Sequence, residues 1–162
     1  MPRVPQLVVP WSGRRLRVKA VVMSPTEDLA VIETAPLPRW QVRPLVFATT
    51  PADAGDTVLE EGYGSTGKAA PHAPGWTSGS VDAIDDAPVN SGPDAGGWTV
   101  RDAVLHEATT YPGDSGGPLL NLQGQVVGVN DAGNDEGEVA IPARTVHGEA
   151  AALILDILDA AG

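Results

Sequence analysis

With 162 residues, no cysteine and a net charge of −11 at pH 7, the chain is large enough to bury a core, cannot be stapled by disulfides, and repels the phosphates of nucleic acids and anionic membranes. Nineteen glycines and fifteen prolines speak against a helical protein and suit many short strands joined by turns. No run of eighteen apolar residues occurs, so no span of a bilayer is expected, and MPRVPQLVVPWSG does not read as a secretory signal; the compartment stays open.

In chain order, three strands are predicted at 7–10 (LVVP), 14–24 (RRLRVKAVVMS) and 28–34 (DLAVIET). Leu16, Val18 and Ala20 alternate with Arg15, Arg17 and Lys19, which gives the second strand one buried and one wet face. The proline-rich stretch 35–55 reads as an extended crossing between two domains, 1–50 and 51–162. Six strands follow, at 57–64, 76–85, 97–107, 117–122, 125–131 and 138–143, and NLQGQ reads as a short hairpin turn between the fourth and fifth. Such a set predicts a closed antiparallel barrel, which leaves no exposed sheet edge, with 65–75 and 86–96 as surface excursions. From Val146 the apolar period becomes helical (Val146, Ala150, Leu153, Ile154, Ile157, Leu158), so an amphipathic terminal helix is expected to pack on the barrel, with Thr145 as its N-cap.

The stretch YPGDSGGPLL, 111–120, concentrates glycine and proline around one aspartate and one serine. A serine hydroxyl becomes a nucleophile when a base takes its proton and fixed donors stabilise the oxyanion formed on attack. Gly113 permits backbone angles at which the amides of Gly113, Asp114 and Ser115 converge on one point. The nucleophile elbow of an α/β-hydrolase is excluded by position, because GPLLNL after the serine reads as a strand and not a helix.

Residues 113–119, GDSGGPL, resemble the trypsin-like (chymotrypsin-fold) serine peptidases, and GQVVGVNDAG, VAIPA and DLAVIE extend the likeness toward bacterial members of the HtrA type. The resemblance implies an all-β, trypsin-like double β-barrel: an incomplete first barrel, a complete six-stranded second barrel and a C-terminal amphipathic helix. It implies Ser115 as nucleophile, Asp28 as the carboxylate orienting a catalytic histidine, and Gly113, Asp114 and Ser115 as the oxyanion hole. It also places Thr109 at the base of the primary substrate pocket and Asp131 on its wall. A threonine at the base carries no fixed charge and points to a neutral or small cleavage-position side chain, although Asp131 weighs against that. Asp114, once buried, needs a counter-charge, for which Arg101 and Arg144 are the candidates.

The family order is His, Asp, Ser, yet residues 1–27 contain no histidine. Of the three histidines present, His106 reads as an ordinary strand residue, half-buried or facing solvent, His72 as a loop residue, and His147 as the opening of the helix. Their spacing suits no zinc site, and neither metal nor cofactor is expected. The expectation is therefore a peptidase domain shortened at its N-terminus, or one whose missing strands come from a partner chain or self-association. Its ligand is a polypeptide, cleaved through a Ser115 acyl-enzyme or bound without turnover by a pseudoprotease.

Overall fold

The computed structural model describes residues 6–9, 14–37, 43–64, 74–89, 97–134 and 137–161. Nine strands precede one helix: β1 Gln6–Val9, β2 Arg14–Met23, β3 Ala30–Thr34, β4 Thr57–Gly62, β5 Gly75–Val89, β6 Trp98–His106, β7 Pro118–Asn121, β8 Val126–Asn134, β9 Gly137–Pro142 and α1 Ala143–Ala161. They fall into two units: residues 1–44, 70–73 and 147–162, and residues 45–69 and 74–146.

In the first unit β1, β2 and β3 form an antiparallel sheet in that order. The alternation expected in β2 is present: Leu16 is buried while Arg15, Arg17 and Lys19 are exposed, and Lys19 Nζ meets Glu33 Oε1 on β3 at 2.7 Å. Past Lys19 the same outer face turns apolar, with Val21 and Met23 exposed opposite the exposed Ile32 and Ala30. Ser24 builds the turn that follows. Its Oγ accepts the N–H groups of Thr26 and Glu27, both at 3.1 Å, and donates to Glu149 Oε2 at 2.5 Å.

The second unit is a closed six-stranded barrel, β4-β5-β6-β9-β8-β7, in agreement with the strand count. Each strand contributes one side chain to a single apolar layer: Val58, Val81, Val104, Leu119, Val127 and Ala140. Full burial of an aliphatic side chain of this size is worth about 1.5–3 kcal/mol, so this layer is the main drive for closure. The β7–β8 hairpin turns where NLQGQ lies: Asn121 Oδ1 accepts the N–H groups of Gln123 and Gln125, and Gly124 takes φ +72°.

Several expectations need correction. The crossing stretch does not separate the units at residue 50, because Val126 N–H donates to Val46 O and Ala48 N–H donates to Val126 O, both at 2.9 Å, tying 45–50 to the barrel. Residues 86–89 are not loop but the end of a long β5, in register with Trp98–Val100 of β6. Thr145 is inside the helix and not its N-cap, since α1 starts at Ala143 directly after Pro142 ends β9. The helical stripe is less buried than its spacing suggests: Leu153 is 3% exposed, but Ile154 and Leu158 are largely open. Of the proposed surface loops, 65–73 and 90–96 lie outside the described residues.

Candidate active site

Between β6 and β7 the chain makes two tight turns with Ser115 exposed on the second. Asp114 N–H donates to Tyr111 O at 2.9 Å, Gly117 N–H to Asp114 O at 2.8 Å, and Gly116 N–H to Asn130 O at 2.7 Å, which fastens the turn to β8. Gly113 and Gly116 have φ of +107° and +86°, a region in which a Cβ is strained, so the glycines of GDSGG are required by the path itself.

Beneath the serine, Asp114 is 3% exposed, and its carboxylate is held by backbone alone. Oδ1 accepts Gly64 N–H at 2.5 Å and Oδ2 accepts Tyr111 N–H at 2.8 Å. The expected guanidinium partner is not used: Arg144 pairs with Asp102, and Arg101 lies exposed on β6. Two charge-assisted bonds from fixed amides do the work of a cation here. The three-amide reading also narrows. Asp114 N–H is consumed by Tyr111 O, while among the described residues the amides of Gly113 and Ser115 have no acceptor.

Behind Asp114 the barrel interior changes character. Strand alternation carries the inward face from Val58 to Glu60, from Val104 to His106 and from Ala140 to Glu138, so the apolar layer is succeeded by a polar one. The register sets Glu60 opposite Thr77 and His106 opposite Glu138. Glu60 is 1% exposed; its Oε2 is 3.4 Å from Thr77 Oγ1, and Oε1 has no partner among the described residues. Burial first, and then the Asp114 carboxylate, push Glu60 up to about 7, with Glu61 and Glu138 adding to the rise and the Thr77 hydroxyl opposing it. Glu61 is also raised, by burial.

His106 is fully buried, not half-buried or solvent-facing, and among the described residues neither ring nitrogen makes a hydrogen bond. Burial lowers its pKa, against the opposing pull of Glu138 and then of Asn130 and the Ala108 backbone. An imidazole enclosed in this way has no access to a hydroxyl on the surface. His147 is exposed on α1, and His72 lies outside the described residues.

Around the turn, Thr109 is exposed and its carbonyl accepts Thr77 Oγ1–H at 2.7 Å. Thr110 Oγ1 donates to Glu138 Oε2. Asp131 Oδ2 accepts Trp98 Nε1–H at 2.9 Å, which turns one of its carboxylate oxygens toward the start of β6. Asp28, in the first unit, is exposed beside the Ser24 turn, which Ser24 N–H closes onto Leu29 O at 2.8 Å. Sequence reading missed Glu60 and Glu138. Their signal was the period-two spacing from Val58 and Ala140, which acquires meaning only when an inward face is known.

A trypsin-like peptidase domain matches residues 3–129. The chain is 37% identical over 116 residues to the serine protease Rv3671c of Mycobacterium tuberculosis, covering 68% of this chain and 26% of the relative. It is 46% identical over 57 residues to the serine protease PepD of the same organism, covering 35% and 12%. The chain thus spans about a quarter or less of the length of these relatives. Among solved structures, the active form of the Rv3671c protease from M. tuberculosis superposes with a TM-score of 0.66 at 29% identity, over 86% of this chain and 59% of that one. The MamO protease domain from Magnetospirillum magneticum gives 0.62 at 26%, over 88% and 72%. Together with the closed second barrel and the exposed Ser115 on its glycine turn, these similarities make the chain a member of the trypsin-like serine peptidase family, of the bacterial HtrA-like type.

Proposed function

We propose that this chain is the nucleophile-bearing part of a serine endopeptidase that opens peptide bonds through an acyl-enzyme on Ser115. One observation carries the proposal: Ser115 is exposed on a turn in which the N–H groups of Gly113 and Ser115 are unspent among the described residues, while Asp114 is clamped behind it. In the reaction Ser115 Oγ attacks the scissile carbonyl, the two amides receive the oxyanion, and the amine leaves with a proton returned by the base. Thr109 and Asp131 then border the pocket for the residue before the scissile bond. Asp28 orients the histidine that accepts the Ser115 proton, and that histidine comes from outside residues 1–27.

Labelling by a fluorophosphonate tests this, with Ser115→Ala as the blank and imidazole added in solution as a substitute base. Labelling that needs Ser115 and accelerates with imidazole supports the reading; labelling equal to that of Ser115→Ala under both conditions ends it.

A second reading, a peptide-binding pseudoprotease, is favoured by the enclosure of His106 in the barrel and the absence of histidine in residues 1–27. It predicts saturable peptide binding of the same affinity in Ser115→Ala, with no product detectable by mass spectrometry.

A further inference from the structure

Two consecutive residues of the nucleophile segment lead to two carboxylates. Thr109 O accepts from Thr77 Oγ1, which in turn neighbours Glu60 Oε2, and Thr110 Oγ1 donates to Glu138 Oε2. Asp114 joins them: a Cβ placed on Gly62 would lie 1.9 Å from Asp114 Oδ1 and 2.8 Å from Glu60 Oε1, so those two oxygens face the same small space. Glu60 Oε1 is buried there without a partner among the described residues.

Three acidic side chains therefore gather behind one turn, and the basic side chain beside them, His106, is held toward neutrality by its burial. An uncompensated cluster of this kind draws a cation. Access to it is through Glu138. Its side chain and that of Thr110 are only half-buried, Thr109 is exposed, and on β8 the exposed Gly133 leaves the carboxylate uncovered, since a Cβ there would come within 3.1 Å of Glu138 Oε2. Among the described residues no three His, Asp or Glu side chains converge as metal ligands, whereas an ammonium or guanidinium, with several N–H donors on a long stem, can reach spaced carboxylates.

We infer that Glu138 is the specificity-determining residue of the substrate pocket and selects a lysine or arginine at the cleavage position. The assignment rests on Ser115 marking that pocket, and it replaces the neutral side chain expected from Thr109. The acid is supplied by β9, across the pocket from the position where the sequence shows threonine.

The cationic probe p-aminobenzamidine, read by its fluorescence, and its neutral amide counterpart test this without needing turnover. The wild-type protein should bind the amidine at least about tenfold more tightly than the amide, the range set by one charge-assisted hydrogen bond. Glu138→Gln should abolish the preference, Glu138→Asp should retain part of it, and Asp53→Asn, an exposed carboxylate outside the cluster, should leave it unchanged. Equal binding of amidine and amide by the wild type, or a full preference surviving in Glu138→Gln, overturns the inference. If Glu138→Gln does not fold, Glu138→Asp decides between the same outcomes. A preference kept by Ser115→Ala, in a protein that no fluorophosphonate labels, would sustain the acidic pocket while sinking the peptidase reading.

Discussion

Replacing Glu60 by glutamine removes a carboxylate from a closed barrel interior while keeping its shape and its contact with the Thr77 hydroxyl. Burial and the Asp114 charge raise Glu60 from 4.5 to about 7, so the folded protein binds this proton more tightly than the unfolded chain does. Stability from the group is therefore fully present below pH 4.5, declines as pH rises, and is lost once pH passes about 7. Each tenfold difference in proton affinity between the folded and unfolded chains is worth about 1.4 kcal/mol, so at pH 8 the native state carries a penalty of up to about 3 kcal/mol that Glu60→Gln escapes. Both proteins should unfold alike at pH 4.5, and at pH 8 the variant should melt roughly 6–12 °C higher for a chain of this size. Thermal and urea unfolding followed by circular dichroism at the two pH values measure the difference. A variant that gains or loses the same amount at both pH values would refute the reasoning, because the effect would then be one of packing and not of charge.

Asp114→Asn should lose about 1.5–3 kcal/mol by exchanging a carboxylate that accepts two backbone N–H groups for an amide with one acceptor. It should also narrow the pH dependence due to Glu60, whose pKa Asp114 helps to raise; urea titrations of the single and double variants at pH 5 and 8 measure both effects. Gly79→Ala should cost at least about 3 kcal/mol or prevent folding, because its Cβ would sit 2.2 Å from the backbone nitrogen of Ala108, which cannot swing away; soluble yield and the melting midpoint report it. Gly148→Ala, inside α1 with nothing within 4 Å of its Cβ, should instead raise stability by up to about 1 kcal/mol through helix propensity, measured by the same melting curves. Lys19→Met should change stability by less than about 1 kcal/mol, since the bridge to Glu33 is exposed on both sides; a larger loss in urea titration would contradict that expectation.

Much of this protein was legible in its sequence because the relevant signals are local. Alternation in RLRVKAVVM, the turn chemistry of NLQGQ and the glycines of GDSGG each act over a few residues, and β2, the β7–β8 hairpin and the Ser115 turn form where those patterns lie. What tertiary structure alone decided was which face of each strand points inward and which distant groups meet there. Asp114 has no sequence neighbour that announces Gly64 as its partner fifty residues earlier, and a basic residue is the natural expectation for a buried carboxylate. His106 reads as an ordinary strand residue until closure of the barrel sets it opposite Glu138. The physical reason is the same throughout. A strand's pattern specifies two faces with period two, but only sheet closure gives one of them an inside, and burial then turns Glu60, Glu138 and His106 from ordinary polar residues into an interacting cluster.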